Sequence, residues 1–298
     1  MRRKHSRRAP DAWVEPMKLW LNGELVDERE ARLSPADHGL LVGDGIFETL
    51  RWYAGRPFAL EQHLERLEAG ALALGLRTPS LEDLSRAAHA VIEANKLGDA
   101  RMRITITSGT GPPGLVRGPG PGTAIVTATP LVPWPATATA IVSRWRRDER
   151  SPLAGVKTIS LVEHVLALSE ARAGGASEAL ILNEQGELCE ATTANIFCVR
   201  GGRVETPALS SGCLAGITRD NVLRLCADLR IGAVEASLPA EVLHEVEELF
   251  LTSSTREIQP LVAVDSRPVG DGRPGRLTER LAGAYSEMVQ RRLGLSGG

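Results

Sequence analysis

The chain has 298 residues, 43% hydrophobic and 24% charged, proportions of a soluble globular protein with room for one large core or two ordinary ones. Its formal net charge of −2 offers no field for nucleic acid or an anionic membrane, and no apolar run is long enough to span one. The four cysteines and six histidines form no CxxC or HExxH pattern, which argues against structural metal and for free thiols in a reducing cytoplasm.

The basic stretch MRRKHSRR is not followed by an apolar segment, so residues 1–16 are expected to be a disordered tail rather than a signal peptide. Two short apolar runs in KLWLNGELV, joined by Asn22-Gly23, predict a hairpin. The lone GDG at Gly43–Gly45 reads as a turn before a strand. IFETLRWYAGRPFAL then predicts strand, turn and strand, leading into a helix on which Leu64, Leu67, Ala71 and Leu74 share a face. Ser80 with Asp83 predicts the capped start of a second helix. RMRITIT, TAIVTAT and ATAIVSRW read as strands, and the proline-rich PLVPWPAT between the last two as a linker.

Beyond it, SLVEHVLALSEARA predicts an amphipathic helix, SEALILN a strand, and NIFCVRGGRVETP a hairpin about Gly201-Gly202. GITRDNVLRLCADL is a helix, EELFLTSST a strand running into hydroxyls, and LTERLAGAYSEMVQRRL a closing helix. The expected class is α+β (mixed α/β), without the regular alternation of a doubly wound sheet. The expected organisation is a small N-terminal domain over 17–129, a linker over 130–137 and a larger domain over 138–298.

Three features point to a site. Only four of the 35 basic residues are lysines, and Lys157 follows the other three in a mostly apolar stretch, LAGVKTISLV. A desolvated lysine loses its proton readily and forms a Schiff base, which arginine cannot do. GITR places Ile217 and Thr218 at a helix start whose unpaired N–H groups favour an anion. The hydroxyls of LTSST and the guanidinium of Arg66 extend that anion preference. Glu190 lies between an apolar strand end and a small-residue loop, either as a solvated strand-end charge or as a carboxylate that could keep a protonated ring electron-poor.

The strings DHGLLVGDGIFETLR, FALEQHLERL, LAGVK, GASEALILNEQGELCEATTANIF, SGCLAGITRD and FLTSSTREIQP resemble the class IV aminotransferases, the fold-type IV pyridoxal-phosphate enzymes, in order and spacing. The resemblance implies a pseudo-barrel in the larger domain, a pyridoxal 5′-phosphate cofactor between the domains, and a homodimer. It implies that Lys157 is the Schiff-base lysine and proton carrier, that Arg66, Ile217, Thr218 and Ser254 hold the phosphate, and that Glu190 pairs with the pyridine nitrogen. Arg150, seven residues before the lysine, matches a position near the ring hydroxyl.

Substrate choice is less determined. Val162 stands where branched-chain enzymes of the family carry a tyrosine, and Phe47 stands where D-amino acid enzymes carry one. The loop SGTGPPGLVRG lacks the Arg-x-His pair that traps a carboxylate in the D-amino acid enzymes, leaving Arg117 or backbone near Thr255 for that task. The expectation is therefore a transaminase favouring D-amino acids, with relaxed specificity extending to some (R)-amines. A 4-amino-4-deoxychorismate lyase and a branched-chain L-amino acid aminotransferase are the alternatives.

Overall fold

The computed structural model describes residues 17–295, so the expected basic tail lies outside the described residues. The first strands, β1 (Lys18–Leu21) and β2 (Glu24–Asp27), form the expected hairpin. Asn22 and Gly23 adopt the left-handed φ values, 50° and 107°, that its tight turn requires. A short helix, α1 (His38–Val42), is capped by the Asp37 carboxylate, which accepts from the Gly39 N–H at 2.8 Å. It ends at Gly43, and β3 (Gly45–Tyr53) and β4 (Arg56–Pro57) follow as the GDG turn predicts. Helices α2 (Leu60–Leu74) and α3 (Leu81–Ala94) come next, the latter capped by Ser80 onto the Asp83 N–H at 3.0 Å. Strands β5 (Ala100–Thr107) and β6 (Thr123–Pro130) complete an antiparallel sheet in the order β2-β1-β6-β5-β3-β4.

Strand alternation gives this sheet two unlike faces. Met102, Ile104 and Ile106 of β5 and Ile46, Leu50 and Trp52 of β3 are buried in the core that α2 and α3 cover. Arg101 and Arg103 on β5, and Phe47 and Thr49 on β3, occupy the intervening positions, with Thr49 paired to Arg103. Leu50, Trp52 and Phe58 are core residues.

The chain crosses through residues 131–137 to a second sheet. Its elements are β7 (Ala138–Arg147), α4 (Val162–Ala173), β8 (Glu178–Asn183), β9 (Leu188–Ala191), β10 (Asn195–Arg200), β11 (Arg203–Pro207) and α5 (Ile217–Asp228). They are followed by β12 (Ala233–Ala236), β13 (Glu248–Ser253), β14 (Glu257–Val264), β15 (Arg267–Pro268) and α6 (Arg276–Leu293). The strand order is β12-β11-β10-β13-β14-β7-β8-β9, with β15 on β14; β7 runs parallel to both β14 and β8, and β12 parallel to β11. Helices α5 and α6 cover a core of Phe197, Val222, Phe250, Leu281 and Tyr285.

Helix α4 differs from the amphipathic expectation. It buries only Ala167 and Ala171, while Val162, Val165 and Leu166 face outward. The small alanines let it lie close on β7 and β8, leaving its larger apolar side chains uncovered in one copy of the chain.

Candidate active site

The two sheets enclose a cavity of about 360 Å³ between them. The first sheet contributes Phe47, Thr49, Arg101 and Arg103, and the second contributes Glu190 of β9 and Thr252 of β13. Lys157 lies in the stretch before α4, yet that stretch is tied to the first sheet. The Phe47 N–H donates to the Lys157 carbonyl at 2.9 Å, and the Ile159 N–H to the Gly45 carbonyl at 3.0 Å. The lysine Nζ sits 4.6 Å from the centroid of the Phe47 ring. Burial lowers its pKa from 10.5 to about 8; Arg66 and Arg103 push the same way, and Glu48 and Glu190 oppose. The amine is therefore partly neutral near physiological pH, as a nucleophile and proton carrier must be.

Glu190 is buried, and its Oε2 accepts the Leu214 N–H at 3.0 Å. Its Oε1 faces the ring of His164, whose Nε2 is 3.8 Å away. One carboxylate oxygen is thus anchored by backbone, and the other borders the cavity.

The anion-binding elements converge. Helix α5 begins at Gly216 without a side-chain cap, leaving N–H groups of its first turn for a ligand. A Cβ at Gly216 would meet Asn195 Oδ1 at 2.0 Å, so only glycine lets the turn approach this closely. Arg66 points to the same wall, its Nη1 donating to the Ala215 carbonyl at 2.9 Å. Its Nε and Nη2 grip Glu48 at 2.7 and 2.8 Å, which leaves N–H donors on the outer edge of the guanidinium. Glu48, on the core side of β3, also accepts from His63 Nδ1 at 2.7 Å. Burial alone would raise the Glu48 pKa, but the Arg66 charge and His63 hold it at about 2. His63 Nε2 lies 3.3 Å from the Ser254 hydroxyl. A helix start, a guanidinium, a hydroxyl, an amine and a carboxylate around one cavity fit a phosphorylated pyridine aldehyde. A further observation agrees: the buried Thr252 hydroxyl on the cavity wall has no partner among the described residues.

Lys157, Arg66, Glu190, Ile217, Thr218, Ser254, Phe47 and Thr255 all line this cavity. Two expected residues do not. Arg150 is 80% exposed, because Asp148 turns the chain outward by accepting the Arg150 N–H at 2.9 Å. Arg147 lines the cavity instead, its Nη2 donating to the Leu153 carbonyl at 3.2 Å. Arg117 is bound bidentately to Asp44, at 2.7 Å for both bonds, and donates to the Leu74 and Gly75 carbonyls at the end of α2. It closes a helix terminus and pins its loop, away from the cavity.

Sequence reasoning also missed Arg101, Arg103, Trp134, His164 and Glu48. The alternation in RMRITIT held a signal for the first two, since it places both arginines on the face opposite the core. Nothing local marked Glu48, whose partners come from a helix 15 and 18 residues away.

The family model for amino-transferase class IV matches residues 45–264. The branched-chain-amino-acid aminotransferase of Escherichia coli is 31% identical over 283 residues, 90% of this chain and 91% of that one. The D-alanine aminotransferase of Bacillus licheniformis is 27% identical over 282 residues, 92% of this chain and 97% of that one. The crystal structure of a branched-chain amino acid aminotransferase from Thermobaculum terrenum, in its PLP form, superposes with a TM-score of 0.85 at 27% identity, covering 93% of this chain and 95% of that one. The matches run through both sheets and the cavity between them, and the chain belongs to the class IV aminotransferase family, whose amino-group transfer runs on pyridoxal 5′-phosphate.

Proposed function

We propose that the enzyme moves the amino group of an apolar α-amino acid, branched-chain L-amino acids foremost, to a 2-oxo dicarboxylic acid. The observation that carries this reading is the pairing of Arg101 and Arg103 with apolar wall. Guanidinium forks suit carboxylates, while Phe47, Val156, Leu161 and Trp134 suit an aliphatic side chain. The relatives named for branched-chain substrates support it as well. It reverses the order of preference drawn from the sequence, which searched for the carboxylate-binding arginine in the loop 108–118 rather than on β5. The arginines also speak against efficient turnover of amines that lack a carboxylate. D-amino acids form the second reading, favoured by Val162 and by the Bacillus licheniformis relative.

On this reading Arg66, the first-turn N–H groups at Ile217 and Thr218, and the Ser254 hydroxyl would hold the cofactor phosphate. Lys157 would hold the cofactor at its aldehyde carbon, the aldehyde oxygen leaving as water, and Glu190 would face the pyridine nitrogen. The bound cofactor supplies an electron-poor ring that takes up the electrons freed when the substrate Cα–H bond breaks. Lys157, with its depressed pKa, carries the proton from that carbon and returns it. The Leu214 N–H, held on one oxygen of Glu190, fixes the carboxylate so that the other would meet the ring nitrogen.

The same reading includes a homodimer, supported by exposed Leu40, Leu41 and Val42 on α1 and by Val162, Val165 and Leu166 on α4. A cytoplasmic location is supported by the four cysteines, all free buried thiols. Initial rates with 2-oxoglutarate for L-leucine, L- and D-alanine and both 1-phenylethylamine enantiomers test the substrate assignment. L-leucine should lead; a D-alanine preference would hand the case to the second reading. Inertness toward all five, with 4-aminobenzoate formed from 4-amino-4-deoxychorismate, would restore the lyase. Sedimentation velocity tests the assembly, and an active monomer would refute it.

A further inference from the structure

Outside the groups assigned to the cofactor, one polar cluster reaches the same cavity. Arg256 and Glu178 form an ion pair at 2.9 Å, and their side chains are only 2% and 1% exposed. The Glu178 carboxylate accepts from the hydroxyls of Thr192 and Thr193, both of which line the cavity. Arg256 Nη2 donates to Thr193 Oγ1 at 2.8 Å, and Nη1 to Gln259 Oε1 at 2.9 Å. Gln259 in turn donates its Nε2 to the Pro135 carbonyl at 2.6 Å. The Arg256 guanidinium also stacks on the Trp134 ring, 4.1 Å from its centroid.

A buried ion pair is a poor way to gain stability, since an apolar pair of similar volume does as well. What it adds here is direction. Residues 131–137 carry prolines at 133 and 135, which lack N–H groups on either side of Trp134, so its ring depends on outside anchors. Two of them run through Arg256: the stacked face, and the orientation of Gln259 on Pro135. The third, Trp134 Nε1 to Thr255 Oγ1, is long at 3.4 Å. Trp134 is 44% exposed and borders the cavity that also holds Lys157 and Glu190.

We propose that Arg256 is a positioning and specificity-determining residue: paired with Glu178, it fixes Trp134 and Thr193 on the cavity wall and so sets the size of side chain admitted. The inference rests on the reading of this cavity as the substrate pocket. The ring is held by the stacked guanidinium face, which a lysine ammonium cannot reproduce. Arg256→Lys should therefore keep a cation beside Glu178 and lose the stacked support of Trp134. The double variant Arg256→Met/Glu178→Met removes both charges together and preserves the core if the single substitutions do not fold.

The test uses holoenzyme labelled with 5-fluorotryptophan, the Trp134 resonance among the five tryptophans being identified by its loss in Trp134→Phe. In Arg256→Lys and in the double variant, that resonance should shift and broaden. KM should change more than kcat across L-alanine, L-2-aminobutyrate, L-norvaline and L-leucine, with the leucine-to-alanine ratio of kcat/KM altered at least about fivefold. An unmoved resonance, or a moved resonance with the ratio unchanged, overturns the inference while the wild type still transaminates. A wild type inert toward all four donors overturns the substrate assignment itself, and the inference with it.

Discussion

Lys157 offers a quantitative test of how the cavity activates a nucleophile. Its pKa falls from 10.5 to about 8, with burial as the leading cause. At pH 7.5 an ordinary lysine is neutral about 0.1% of the time, and one with a pKa near 8 about a quarter of the time, a gain of roughly two hundredfold in reactive amine. Competitive trace labelling of cofactor-free protein with acetic anhydride, read peptide by peptide by mass spectrometry, measures this directly. The pH profile of Lys157 should have its midpoint near 8, while Lys96 on the surface serves as the internal reference. Glu190 raises the Lys157 pKa, so Glu190→Gln should move the midpoint further down. A Lys157 midpoint near 10.5, or an upward move in Glu190→Gln, would refute the account of activation by desolvation.

Replacing Lys157 with Ala should abolish the borohydride-reducible link to cofactor and cut turnover by at least about 10²–10⁴-fold; a variant that still traps pyridoxal phosphate covalently contradicts the assignment. Glu190→Gln should retain cofactor absorbance but lose kcat, and a wild-type rate would reduce the carboxylate to a structural role. Glu48→Gln leaves the buried side of Arg66 without its anion, a loss of about 3–5 kcal/mol by urea denaturation. The Glu48 pKa is depressed to about 2, so its contribution is full above 4.5 and lost as pH falls through 2; the variant should show a flatter acid limb in that window. Arg103→Leu should raise KM for 2-oxoglutarate roughly 10- to 100-fold, as expected for a lost charge-assisted bond, and raise it less for a monocarboxylic acceptor.

What the sequence disclosed follows from the range of the interactions involved. The Asn22-Gly23 turn, the Ser80 cap and the alternation on β5 are decided within a few residues, and each is present as expected. Strand β14 escaped notice because Pro260 interrupts it; the proline sits just before the point where β7 joins at Leu261, so the strand tolerates it. Strand order escaped because the parallel neighbours β14 and β7 are over a hundred residues apart, joined by no local signal. Lys157, Glu190 and the start of α5, each singled out by its own neighbourhood, line one cavity. Arg150 was misassigned because a count back from the lysine ignores the Asp148 turn. Glu48 stayed hidden because a carboxylate among Phe47, Thr49 and Leu50 reveals its purpose only once α2 brings His63 and Arg66 against it.

The backbone bonds that join Lys157 to β3 bear on how the enzyme can open. The lysine follows β7 in sequence, but Phe47 N–H to Lys157 carbonyl and Ile159 N–H to Gly45 carbonyl make it ride with the first sheet. Glu190, on β9, rides with the second. Any hinge bending about residues 131–137 therefore separates the amine from the carboxylate instead of carrying both together. Opening would part Lys157 from Glu190, and closing would bring them back to one cavity. Amide exchange at Phe47 and Ile159 should then stay slow however often the sheets part, and rapid exchange at either would show that the lysine does not move with the first sheet.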